Sequence, residues 1–179
     1  MNPTLLPDTP RAATVLRQRA VRLASEKDPR DKAPPGELFL AVHLGAREHY
    51  GIPYRWLDEI TRPRGLTPVL GAPAFVAGVM ARHGRLLAVL DLARLLRLDM
   101  GGTDAEGPVV MVNAAHLRVG LRVDDVIGND RYVTNALAPL PQETAARAPW
   151  MTGIHGGQLT MLDLDALLGD PRLDIKEHA

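Results

Sequence analysis

From residue 37 onward the chain alternates. In HLRVGLRV, Leu117, Val119, Leu121 and Val123 share one face, while His116, Arg118 and Arg122 share the other. A period of two is the signature of a half-buried strand. Similar runs come in pairs around short breaks. LFLAVHL and REHYGI flank Gly45-Ala46, and AFVAGVMA and RLLAVLDL flank His83-Gly84. PVVMVN and HLRVGLRV flank Ala114-Ala115, and WMTGIH and QLTMLDL flank Gly156-Gly157. The pattern predicts successive hairpins, because glycine tolerates the positive φ that two-residue turns demand. Ahead of residue 37 the period is helical. Thr9-Pro10 reads as a cap followed by a first-turn proline, and Ala12, Val15, Leu16, Ala20 and Leu23 fall on one face. SEKDPRDKAPPGE then reads as a polar, proline-bearing linker.

The strands repeat. VLDLARLLRLD (89–99) resembles MLDLDALLGD (161–170), each ending a strand on Leu-Asp-Leu and entering a short leucine-paired helix. Asp91 and Asp163 stand where a carboxylate caps a new helix. Three segments follow: a helix and linker over 1–36, a β region over 37–170 divided near residue 100 into subdomains 37–100 and 101–170, and a tail over 171–179. Short closed barrels would remove the exposed edges of so small a β fold.

Composition narrows the function. Lys+Arg and Asp+Glu are 21 each, which speaks against a polyanion as the main partner. Residues 1–36 hold seven basic and four acidic side chains, so the β region is net acidic. Its seven aromatics are scattered, a poor platform for stacked bases, so a nucleic-acid-binding barrel stays a distant alternative. There is no cysteine, hence no disulfide, zinc thiolate or thiol nucleophile. No apolar run approaches the roughly 20 residues of a membrane span, and the N-terminus lacks the order of a signal peptide. A cytoplasmic protein is expected.

Candidate chemistry is thin. Asp91 is better explained as a helix cap than as a catalytic partner of His83, since Asp163 occupies the same place with no histidine in its hairpin turn. His43, Glu48 and His49 cluster at one turn but lack a third histidine for a metal enzyme. GIHGGQ lacks the lysine of a phosphate loop. No cofactor, no metal and no catalytic residue are expected.

Five segments, in order, resemble the CheW-like domain: YGIPYRWLDEI, LTPVLGAPAFVAGVM, HGRLLAVLDLARLL, LRVGLRVDDVIG and MTGIHGGQLTMLDLDALL. The resemblance implies a mainly β fold of two intertwined five-stranded SH3-like barrels, here with an added N-terminal amphipathic helix. It implies a non-catalytic adaptor that couples a methyl-accepting chemoreceptor's signalling tip to the regulatory domain of a CheA-type histidine kinase. A scaffold for such a kinase in another pathway, without a chemoreceptor, is the alternative. Carried onto this chain, the receptor-facing groove takes Leu57, Glu59 and Ile60 on one side. Gly78, Val79, His83 and Gly84 form the other. Kinase contact is expected at turns around Gly120 and Gly153. The chain departs from the family where Asn-Leu-Arg-Gly usually stands: Ala81, Arg82, His83 and Gly84 place a histidine at the arginine position. Strand alternation would put Arg82 on the opposite face from that arginine, so it is not an automatic substitute. The N-terminal helix is expected to pack on the barrels, with docking on a partner helix or contact with a membrane surface as the alternatives.

Overall fold

The computed structural model describes residues 35–45, 48–98 and 105–173, so the N-terminal helix, most of its linker and the last residues of the tail lie outside the described residues. Five strands lie in the first half: β1 (Glu37–Leu44), β2 (Glu48–Pro53), β3 (Leu57–Thr61), β4 (Val76–Arg82) and β5 (Arg85–Asp91). The one-turn helix α1 (Leu92–Leu95) follows them. The second half repeats the series with β6 (Val109–Ala114), β7 (Leu117–Arg122), β8 (Asp125–Tyr132), β9 (Met151–His155) and β10 (Leu159–Leu162). A short helix α2 (Gln142–Arg147) precedes β9, and α3 (Leu164–Leu168) follows β10.

The strands assemble into two five-stranded sheets, ordered β8-β1-β2-β10-β9 and β3-β6-β7-β5-β4. Each sheet therefore joins the first hairpin of one half to the last three strands of the other. We call the first barrel A and the second barrel B. The expected division at residue 100 marks the two sequence repeats but not the two barrels: barrel B runs continuously from β3 to β7, and barrel A takes both ends of the domain. Periodicity registers which residues form strands. It carries no information on which strands pair.

The repeats share one register. β5 runs parallel to β7 with Val89 opposite Gly120, and β10 runs parallel to β2 with Met161 opposite Gly51. Each barrel is closed by one isolated bridge between the chain beyond its first edge strand and its other edge. Thr67 and Val79 exchange backbone hydrogen bonds of 2.9 and 2.8 Å, and Ala138 and Ile154 exchange two of 2.9 Å. Asp91 caps α1 by accepting from the Arg94 amide at 3.1 Å, and Asp163 caps α3 by accepting from Ala166 at 3.0 Å. The repeat in the sequence is thus a repeat of capping chemistry, as read. The turn of the β6-β7 hairpin falls one residue later than expected, on Ala115 and His116, whose φ values are +49° and +66°.

The core has three layers. Phe39, Ala41, Tyr132 and Met161 fill barrel A, and Met80, Leu87, Val89, Val109 and Met111 fill barrel B. A larger apolar layer includes Leu40, Val42, Ile52, Val110, Leu121 and the leucines of α1 and α3. Alternation along β1 sends Phe39 and Ala41 to one layer and Leu40 and Val42 to another, so one strand serves two cores.

Candidate functional site

β3 and β4 are the two edge strands of barrel B. Glu59 on β3 lies opposite Met111, and Met111 points into the barrel, so Glu59 points the same way at the barrel mouth. Met80 on β4 points into the barrel, and Arg82, two residues on, shares its face. The two meet. Arg82 donates to both carboxylate oxygens of Glu59, from Nε at 3.3 Å and from Nη2. His83 Nε2 stands 3.1 Å from Oε2 of the same carboxylate. Together with the Thr67–Val79 bridge, this clasp joins the two edges of barrel B.

Both neighbours lower the pKa of Glu59, which is drawn from 4.5 down to about 2, first by the hydrogen bond with Arg82 and next by the one with His83. Glu59 and Arg82 are about one-third exposed and His83 two-thirds, so solvent screens the interaction.

The expectation that Arg82 faces away is corrected. His83 is not a strand residue: with φ of +48° it is the first residue of the turn, followed by Gly84 at +74°. Counting alternation back from it misplaces Arg82, which ends the strand on the inward face with Glu59. Arginine therefore holds Glu59 here, from the neighbouring position. The His83–Asp91 pairing set aside above is absent as well. Asp91, 1% exposed, accepts at 2.9 Å from Nη2 of Arg122 on β7, while His83 is at the far end of β5.

The rest of the groove set is only partly assembled. Leu57 is half-buried against the large central core layer, and Ile60 is exposed. Val79 forms the barrel-closing bridge through its backbone. Gly78 has φ of +151°, and a Cβ there would collide with the Thr67 carbonyl oxygen. The glycine at this place is thus explained by the bridge next to it.

Gly120 and Gly153 are corrected too, since neither lies in a turn. Gly120 is buried in β7, where a Cβ would stand 2.5 Å from Val109 Cγ1. Gly153 is buried in β9 with φ of +159°, and a Cβ would stand 2.8 Å from that of Leu137. Both are strand glycines that allow close packing, not turn residues. His43 and His49 face each other across β1 and β2, ring centroids 5.2 Å apart. No group of three or more potential metal ligands comes together among the described residues. No helix among them is long and apolar enough to cross a membrane.

Comparison with known proteins agrees with this architecture. The profile of the CheW-like domain matches residues 38–172. Protein PilI of Pseudomonas aeruginosa is 26% identical over 76% of this chain and 77% of its own. The chemotaxis protein CheW of Klebsiella aerogenes is 24% identical over 80% and 88%, and Protein FrzA of Myxococcus xanthus is 29% identical over 79% and 91%. The crystal structure of the scaffolding protein TtCheW from Thermoanaerobacter tengcongensis shares the fold, with a TM-score of 0.66 and 21% identity over 76% of this chain and 90% of that one. With ten strands in two exchanged barrels and a profile match across nearly all the described residues, this chain belongs to the CheW-like domain family of scaffold proteins.

Proposed function

We propose that this chain is a non-catalytic, cytoplasmic adaptor that couples a methyl-accepting chemoreceptor's signalling tip to the regulatory domain of a CheA-type histidine kinase. The observation that carries this reading is the Glu59–Arg82–His83 clasp. Glu59 keeps an arginine partner although this chain has histidine at the family's arginine position, so the barrel B mouth stays closed in the form a receptor helix would meet. Leu57, Ile60 and Val79 would supply apolar contact beside it. His83, mostly exposed, offers the partner a second donor beyond the clasp.

A second reading is favoured by one observation, the histidine itself. A scaffold for such a kinase in a pathway without a chemoreceptor has no need of the family arginine at residue 83. Titrating the full chain against the regulatory domain of a CheA-type kinase, with and without a receptor signalling tip, separates the two. Binding to both partners is the expected result. Binding to the kinase alone selects the second reading, and binding to neither removes both.

A further inference from the structure

Two histidines meet at one mouth of barrel A. Ala41 lines the barrel A core, and His43, two residues on along β1, shares its face. His49 stands two residues before Gly51, whose missing Cβ makes room for Met161 of the same core. The two histidines are direct cross-strand partners, so their rings lie side by side, with centroids 5.2 Å apart and planes inclined at 40°. Both are half-buried, open enough for an ion to reach them. Two imidazoles on one tetrahedral zinc, each at a Zn–N distance of about 2.0–2.1 Å, have centroids about 5 Å apart.

Barrel B shows that the fold does not need this pair. The parallel pairs Val89–Gly120 and Met161–Gly51 make the two glycines equivalent, and two residues before them stand Arg118 and His49. Across its hairpin Arg118 faces Asn113, as His49 faces His43. A guanidinium has no lone pair for a metal, and Asn113 offers only an amide oxygen. Arg118 Nε already donates to Asp58 Oδ2 at 2.9 Å. In barrel A the nearby acids are engaged elsewhere. Glu48 accepts from the Tyr50 hydroxyl at 3.3 Å, and Asp125, opposite His43 on β8, turns back to accept from the Val126 amide at 2.8 Å. Two ring systems, and not three donors, therefore face one another.

We propose that His43 and His49 form a two-histidine site for a divalent transition-metal ion of the zinc class. One nitrogen of each ring binds the ion, and water fills its remaining positions. The donor chemistry selects the ion: imidazole suits zinc and its neighbours, whereas calcium and magnesium prefer all-oxygen sets. The ligand number sets the strength. A structural zinc has four protein ligands and is needed for folding, so a site with two binds reversibly to a fold that is already complete. A bound ion links β1 to β2 at the barrel mouth through side chains, in addition to the ladder between them.

The proposal does not depend on the receptor reading, since the clasp belongs to the other barrel. The probe is zinc chloride, titrated into the full chain at neutral pH and followed by calorimetry and by the imidazole nitrogen-15 signals of the unaltered protein. The expected result is saturable one-to-one binding that moves the ring signals of His43 and His49. His43→Asn and His49→Arg, which graft the barrel B residues, should each weaken binding at least about tenfold, the loss that even a missing supporting hydrogen bond brings to a metal site. His116→Asn, at a left-handed turn position that asparagine tolerates, should leave it unchanged. Absence of saturation up to about 1 mM zinc would overturn the proposal. So would signal changes centred on other histidines, or undiminished binding by the two grafted variants.

Discussion

Barrels A and B share a topology, a capping aspartate, a bridge that closes them and a glycine beside that bridge. They differ in how they treat charge. In barrel A, Asp163 caps its helix while still in contact with solvent. In barrel B the equivalent Asp91 is buried, and Arg122, 12% exposed, reaches it across the sheet. Position 122 corresponds to Pro53 in barrel A, which has no side chain to offer such a carboxylate. The fold requires the cap, and the burial around it decides whether the cap also needs a counter-ion.

The first way to break the parallel is to remove that counter-ion. Arg122→Ala removes the nearer of two cations from the buried Asp91, leaving Arg94 Nε at 3.8 Å, and should cost about 3 kcal/mol in chemical denaturation. Second comes a matched pair of packing changes, Gly120→Ala in barrel B and Gly51→Ala in barrel A. An added Cβ would meet Val109 in one and Met161 in the other, and each should cost about 1–3 kcal/mol. The methionine gives way more readily than the branched valine, so the Gly51 variant should be the milder. Third, Asp163→Ala removes a cap alone and should cost about 1 kcal/mol, well below Arg122→Ala. Equal losses from the two would mean that burial makes the Arg122–Asp91 pair worth no more than a cap.

The smallest effect is at the clasp. A carboxylate whose pKa is lowered by folding contributes fully above its ordinary value and loses that contribution as pH falls through the folded one. The clasp should therefore hold at pH 5 and above, and loosen between about 4.5 and 2. A carbon-13 titration of the Glu59 carboxyl checks this directly. In the Arg82→Leu variant its midpoint should move up toward 4.5. A midpoint unchanged by that substitution would assign the shift to His83.

What could be read from the chain was local. Strand alternation, glycine turns and Leu-Asp-Leu caps act over a few residues, and the sequence displays them. The exchange of hairpins between repeats depends on β1 meeting β8 some eighty residues on, and no pattern within either segment encodes that. Arg82 was misplaced because alternation was carried through His83, where the backbone has already turned left-handed. Gly120 and Gly153 read as turns because glycine is the residue of turns. Their actual cause is close packing, visible only once Val109 and Leu137 are beside them.

The exchange of hairpins also bears on synthesis. β1 and β2 leave the ribosome first, yet the strands that flank them, β8 and β10, come near the end of the domain. Until then neither edge of the leading hairpin has its partner strand, the condition that invites aggregation or chaperone capture. Barrel B, continuous from β3 to β7, has all its strands well before that. One half of this chain can assemble as it emerges, while the other must wait for its own C-terminus.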